Sequence, residues 1–570
     1  MSSAATERPP STLTRLALLL SLLGPGLAPA QTPPQPSAGS VLQQIERTAP
    51  PRAPAAAPAP ELKVPRAVVP PSSGGPRIDV KGFRLAGLAP ARAEPLLPLL
   101  NRYVGPGKTL ADLEDAAKDI EVALQRQGLF LAQAYVPEQS LADGVVTLQV
   151  LEGRIGAVKI ESEPGVKVSP DYMDRIVAIL RGNPVAEREL IERALFTLGD
   201  LRGITATSTL SPGDKVGQAD LTIKVGPSKG YAWSIEFDNA GSIYTGRARV
   251  YASGEWFNLA GRGDVASIKT QFSSGSAFAR LAWLTPINER GTKFGVAASF
   301  LKYELGDIFE NLDAKGTAEA FSLQVLHPAI RSRNNNLFIQ GSVDVRHFDD
   351  DVNAIELKSK KGVTGYATFG VVGDFRDTLL GGGISNYAAN LVGGRLKITT
   401  PDEAAIDAQN YQSAGNYAKL LFSGSRLQVL PNKDYVFLGL QGQWASKNLD
   451  SSEKFSLGGP NGVRAYPSPE SPSDSALVAT WEYRKPLSLE SLPGDLVLSA
   501  FGDYGVGKLH ETPLPTDTDN IRRLVSHGLG VTYGNTRGLL VKGWVAVRGN
   551  TKASSDDSRA RFVVQLSQQF

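Results

Sequence analysis

From Tyr231 onward the chain alternates between apolar and polar positions. In YAWSIEFDN, Tyr231, Trp233, Ile235 and Phe237 share one face, while Ala232, Ser234, Glu236 and Asp238 share the other. In LFIQGSVDVRHF, Leu337, Ile339, Val343 and Val345 oppose Gln340, Ser342, Asp344 and Arg346. Val436, Leu438, Leu440 and Trp444 line up in YVFLGLQGQW, and Phe562, Val564, Leu566 and Phe570 line up at the end. A period of two over runs of this length predicts long strands with one oily and one polar face.

Upstream the texture is different, and it repeats. Residues 78–83 predict a strand, 91–103 and 110–127 predict helices, and 130–136 and 145–150 predict two more strands. The same β-α-α-β-β order returns with a strand at 155–160, helices at 170–181 and 186–198, and strands at 204–210 and 220–225. The period of about 75 residues is an internal repeat. Inside the first copy, GPGKT (105–109) looks like a phosphate loop, but Arg102 stands where that motif needs glycine and the stretch follows a helix. Thr109 with Asp112 reads instead as a helix cap and its return partner.

Before the repeats lie three short segments. Arg8 and Arg15 precede the apolar run LALLLSLLG, and Ala28-Pro29-Ala30 offers a cleavage site before Gln31, which is the layout of a secretory leader over residues 1–30. In GSVLQQIERT, Val41, Leu42 and Ile45 fall on one helical face, which predicts a short amphipathic helix within residues 31–48. Such a helix is marginal alone in water and needs a surface to dock against. Residues 49–76 are rich in Pro and Ala and form a semi-rigid tether. A helix on a leash suggests a removable plug.

Composition removes several kinds of chemistry. The 570 residues carry a formal charge of +3, which gives no reason to expect nucleic acid. With no cysteine there is no disulfide frame, thiolate metal site or thiol nucleophile, and the four histidines have no metal-ligand spacing. No cofactor or metal is expected.

Alternating strands fit a soluble sandwich, with the oily faces turned inward, or a membrane barrel, with the oily face turned to lipid. Three features favour the barrel. All six tryptophans lie after Val225, as aromatic girdles need; an exported chain without a membrane helix suits it; and the last residue, Phe570, is an aromatic closing a strand. The 345 residues after Val225 divide into ~16 strands at about 20 residues per strand. The expected order is residues 1–30 leader, 31–48 plug segment, 49–76 linker, 77–152 and 153–226 two αβ repeats, and 227–570 barrel.

Within the barrel half, SLGGPNGVRAYP (456–467) is a glycine-rich loop with one cation, Arg464. The strand LVLSAFGDYG follows it, and alternation turns Leu496, Leu498, Ala500 and Tyr504 to lipid and Val497, Phe501 and Asp503 to the lumen. A carboxylate is costly in hydrocarbon, so Asp503 belongs inside, where an arginine on a flexible loop can pair with it through a bidentate fork. Spacing alone leaves open the alternative of an exposed loop arginine bound to nothing.

These residues carry a resemblance. The loop residues Gly462, Val463, Arg464, Ala465 and Tyr466 resemble the VRGY loop of the two-partner secretion transporters, and Phe501-Gly502-Asp503-Tyr504-Gly505 matches the FxDxG wall motif of the same family. Ala465 departs from the family glycine, which puts a positive-φ backbone at that position in doubt. The resemblance covers the mature chain. It implies an outer-membrane protein with a plug helix, a linker, two periplasmic POTRA domains and a 16-stranded barrel, in which Arg464 and Asp503 hold the loop against the wall. The function it implies is export of an unfolded partner exoprotein, a β-helical adhesin or haemolysin, without ATP. Other partners are outer-membrane lipid and the barrel assembly machinery, with Phe570 as assembly signal; no catalytic residue is expected. The client would be added as a strand at a POTRA edge, with residues 130–136 and 204–210 as candidates. An assembly factor of the same superfamily is the alternative, although such proteins typically have more POTRA domains and no leashed helix.

Overall fold

The computed structural model describes residues 36–46, 77–141, 143–181, 185–489, 493–556 and 558–570. The expected leader and the Pro/Ala-rich tether lie outside the described residues. The first described element is a helix, α1 (Ala38–Glu46).

The first αβ domain contains β1 (Ile78–Val80), β2 (Gly82–Ala86), β3 (Gly105–Lys108), α2 (Leu110–Arg126), β4 (Gln133–Tyr135) and β5 (Val145–Leu151). The helix expected over 91–103 is one α-turn, Pro90–Ala93, followed by a 3₁₀ helix, Glu94–Tyr103. Pro95 and Pro98 have no N–H to give an α-helical ladder, which favours the tighter winding. GPGK, the apparent phosphate loop, is the strand β3 paired with β1. Thr109 caps α2: its Oγ1 accepts the Asp112 amide at 3.3 Å, and Asp112 Oδ2 accepts the Thr109 amide at 2.7 Å. The Thr109 amide and hydroxyl, both donating to Oδ2, hold the Asp112 carboxyl below its ordinary pKa. The second domain repeats the plan with β6 (Arg154–Ser162), α3 (Pro170–Arg181), α4 (Arg188–Gly199), β7 (Ile204–Pro212) and β8 (Gln218–Pro227). Each main sheet has three strands, ordered β2-β5-β4 and β6-β8-β7, so β4 and β7 are edges. Leu113, Ala117, Ile120 and Leu124 of α2 fill the first core, and Met173, Ile176, Val177 and Leu180 of α3 fill the second.

The rest is a closed barrel of sixteen antiparallel strands, from β9 (Tyr231–Asp238) to β24 (Ala560–Gln569), which pairs back onto β9. The outward rows are apolar. Phe321, Phe369, Leu391 and Leu529 are exposed on that face, which is the side that meets lipid. Trp233, Trp283, Trp444 and Trp481 are exposed there too, and Trp256 meets Trp233 edge-on with ring centroids 5.0 Å apart. Trp544 departs from the expected girdle. It faces the lumen, because the neighbouring Val545 takes the lipid side of the alternation.

Candidate functional site

The loop joining β19 (Tyr435–Ala445) to β20 (Ser475–Leu487) folds into the lumen rather than away from the barrel. Leu457, Val463, Ala465 and Tyr466 are all buried. The turn closes on itself: the Val463 amide donates to Leu457 O at 2.8 Å and the Tyr466 amide to Val463 O at 3.0 Å. Gly462 is required by close approach, since a Cβ there would overlap the Leu457 carbonyl. Ala465 is not among the positive-φ residues, so alanine fits without backbone strain. The Tyr466 hydroxyl donates to Thr551 O at 2.8 Å, which ties the loop to the connection that leads into β24.

The wall is β21 (Asp495–Lys508). The structure brings Arg464 and Asp503 together: Nη2 lies 2.9 Å from Oδ1 and Nε 3.1 Å from Oδ2. The Arg464 amide also donates to Oδ2 at 3.0 Å. Asp503 is 3% exposed, and it further accepts from Thr480 Oγ1 at 3.0 Å and Ser526 Oγ at 2.7 Å. The guanidinium stacks on the Phe501 ring, 3.4 Å from its centroid. Gly505 makes room for Val463, because a Cβ there would sit 2.7 Å from Val463 Cγ2. Phe501, Asp503 and Gly505 thus serve one docking surface: a ring, an acceptor and a gap.

Sequence reasoning missed Glu482. Its Oε2 lies 3.1 Å from Arg464 Nη1, and Arg484 Nε donates to its Oε1 at 3.0 Å. Alternation in TWEYR could have found it, since Thr480, Glu482 and Arg484 oppose Trp481 and Tyr483. Glu453, at the loop's root, was also missed. It is buried and ion-paired to Lys419 at 2.7 Å and Arg346 at 3.5 Å.

The lumen also holds α1. Ser37 and Ser40 cap its start reciprocally, with the Ser37 amide on Ser40 Oγ at 2.9 Å and the Ser40 amide on Ser37 Oγ at 3.3 Å. Val41, Leu42 and Ile45 are buried with Leu301, Tyr303 and Phe348 of the barrel wall. The Ala38 amide donates to Asp350 Oδ1 at 2.7 Å, and Arg280 Nη1 lies 3.2 Å from Glu46 Oε1. The helix touches the loop as well: Ser37 Oγ lies 2.8 Å from Ser451 Oγ, and a Cβ on Gly39 would overlap Ser452. Around helix and loop a cavity of about 580 Å³ remains, lined by Ile45, Arg464, Phe501 and Trp544 among others.

A sixteen-stranded barrel behind two αβ repeats is an architecture that known proteins share. Residues 217–533 match the model described as haemolysin secretion/activation protein ShlB/FhaC/HecB, and residues 78–153 match the ShlB-type POTRA domain. The chain belongs to this family of two-partner secretion transporters. The heme/hemopexin transporter protein HuxB of Haemophilus influenzae is 29% identical over 449 residues, 77% of this chain and 78% of the relative. The outer membrane transporter CdiB of Dickeya dadantii is 20% identical over 64% of each chain. In fold, the transporter is similar to CdiB from Escherichia coli, with a TM-score of 0.68 at 17% identity over 94% of this chain and 100% of that one. CdiB from Acinetobacter baumannii gives 0.60 at 14% identity over 93% and 96%.

The transporter is therefore an outer-membrane protein whose POTRA domains stand in the periplasm. Its chain enters β9 from the second POTRA domain, so the lumenal loop, joined to the far ends of β19 and β20, is rooted on the extracellular side. Phe570 stands exposed on the lipid face beside the seam, its amide donating to Trp233 O at 2.9 Å.

Proposed function

We propose that the transporter captures an unfolded partner exoprotein at a POTRA edge and passes it through the barrel without nucleotide hydrolysis. The observation that carries this reading is the position of α1. It is a nine-residue helix that lies in the lumen yet belongs to no barrel strand, and the chain after it is rich in Pro and Ala. In this reading Val41, Leu42 and Ile45 seat a plug that leaves when a client arrives, and the Arg464–Asp503 pair holds the loop in its working position. The wall motif of Phe501 and Gly505 receives the loop motif of Gly462, Val463 and Tyr466, and Phe570 marks the chain for barrel assembly. The division at residues 30, 48, 76, 152 and 226 is the corresponding domain map.

Of the two candidate edges, β7 is the better client site. It has nine residues, against three in β4, and each added residue brings main-chain hydrogen bonds. The client is proposed to be an exoprotein of adhesin or haemolysin type, in keeping with relatives named as a heme/hemopexin transporter and as CdiB transporters.

Reconstitution tests this. The transporter in liposomes, given an unfolded candidate exoprotein of adhesin or haemolysin type, is expected to move that exoprotein across the bilayer in buffer without ATP. Transport only on addition of nucleotide would refute the energetic part. Alternate amides of a strand point to opposite sides, so Thr207→Pro and Ser208→Pro are tested together; one should abolish capture at the edge. Capture unaffected by both would move the client site away from β7.

A further inference from the structure

The segment linking α4 to the edge strand β7 is clamped onto the barrel. Asp200, at the end of α4, receives Arg331 of β14 (Ala314–Arg331) as a fork: Nε to Oδ2 at 2.9 Å and Nη2 to Oδ1 at 2.5 Å. The third arm of that guanidinium, Nη1, donates to Asn336 Oδ1 at 2.6 Å. Two rings approach the guanidinium, Phe196 from the POTRA domain at 5.0 Å and Phe338 from the barrel at 5.8 Å. The Arg331 side chain is 1% exposed. A buried arginine with both carboxylate and amide partners is a rigid joint, because any tilt of one body against the other leaves a desolvated charge unpaired.

The next residues continue the joint. The Arg202 amide donates to Gly263 O at 3.3 Å. Gly263 and Gly203 are both places of close approach: a Cβ on Gly263 would lie 2.7 Å from Leu201 Cβ, and one on Gly203 would lie 2.8 Å from Asn258 Cβ. Residues 258–264 form a periplasmic turn of the barrel. Residues 200–203 are thus pinned to two places on the barrel rim, and β7 begins immediately after, at Ile204. On the flank of the same interface, the Tyr172 hydroxyl donates to Asn288 O at 2.9 Å and the Arg333 amide to Glu192 Oε2 at 3.2 Å.

We infer that Asp200 and Arg331 form a latch that makes the second POTRA domain a fixed sill of the pore, so that the root of its free edge strand is held at the barrel mouth. Asp200 and Arg331 are then positioning residues for hand-over of a client from β7 to the lumen. This rests on the proposed use of β7, but the latch itself is tested without any client.

The chain contains no cysteine, so two spin labels can be placed cleanly. Val216, at the exposed tip of the β7–β8 hairpin, and Leu379, on a periplasmic turn elsewhere on the rim, are replaced by cysteine in the full-length transporter and labelled. The unaltered latch is expected to give one narrow distance peak. Asp200→Asn and Arg331→Gln should each broaden it, and the double variant should broaden it no further, because both remove one joint. Asp200 lies outside the barrel, so its variant keeps a folded barrel, checked by heat-modifiable mobility. A peak that stays narrow in Asp200→Asn would overturn the latch. Export of the exoprotein that the transporter moves in liposomes, at matched barrel levels, is the second readout: loss in Asp200→Asn supports the positioning role, and full export despite a broadened peak overturns that role while leaving the joint.

Discussion

Asp503 holds Arg464 twice, taking its main-chain amide on Oδ2 at 3.0 Å and its guanidinium on Oδ1 at 2.9 Å. The two substitutions are therefore unequal. Arg464→Ala keeps the amide contact, whereas Asp503→Ala strands the amide, Thr480 and Ser526 together and leaves the guanidinium with Glu482 alone. Removing one partner of a buried pair costs about 3–5 kcal/mol. Water in the pore brings this toward the ~1 kcal/mol of exposed pairs. Secretion at matched barrel levels should fall in both variants, further in Asp503→Ala, and the double alanine variant should be little worse than Asp503→Ala alone. Additive defects would separate the two residues functionally.

Gly505 gives a steric test of the same docking. Gly505→Ala places a methyl 2.7 Å from Val463 Cγ2, an overpacking that costs roughly 1–3 kcal/mol. The loop tip should become accessible to added protease in that variant, and Val463→Ala in the same chain should restore protection. Protection unchanged by Gly505→Ala would mean the tip does not rely on this gap.

The plug can be displaced in two independent ways. Deleting residues 31–76 should raise single-channel conductance in planar bilayers and leave the barrel folded. Gly39→Val should do the same in the full chain, because its side chain overlaps Ser452. If neither variant conducts more than the parent, α1 does not limit the pore.

His510 predicts an acid response of the extracellular loops. It stacks on Tyr411 with ring centroids 3.8 Å apart, and its Nδ1 lies 3.2 Å from Lys454 Nζ. Burial, then the Lys454 charge, lower its pKa from 6.5 to about 4, with Asp517 opposing. A histidine held below its unfolded value stabilises the closed loops above pH 6.5 and loses that contribution as pH falls toward 4. Proteolysis of these loops should thus accelerate between neutral pH and about pH 4, and His510→Phe should flatten the dependence. Equal protection of the parent protein across this range would contradict the assignment.

Phe570→Ala should lower the amount of transporter in the outer membrane more than it alters each surviving pore. Quantitative blotting of membranes against single-channel conductance separates the two. Normal membrane levels would reduce Phe570 to packing.

Period-two alternation in the sequence by itself determined the long strands with one apolar face, because a strand's side chains must point to opposite sides whatever its neighbours are; the placement of the tryptophans, the export layout and the terminal Phe570 turned that face to lipid. The sequence also determined the Thr109 cap and the amphipathic face of α1, which depend on residues three or four apart. Asp503 was legible as lumenal for the same reason. What the tertiary structure decided were relationships between distant strands and domains. Trp544 could not be told from the girdle tryptophans until β23 (Leu539–Arg548) was placed in register. Glu482 has the right parity, but only the strand pairing that sets Thr480 opposite Asp503 puts it beside Arg464. Proline chemistry could have flagged the 3₁₀ helix at Glu94–Tyr103, whereas the pairing of GPGK with β1 is a non-local hydrogen-bond pattern. The Asp200–Arg331 joint spans 131 residues and two bodies. No local pattern encodes such a contact, since its energy exists only once both surfaces are folded and water has been removed from between them.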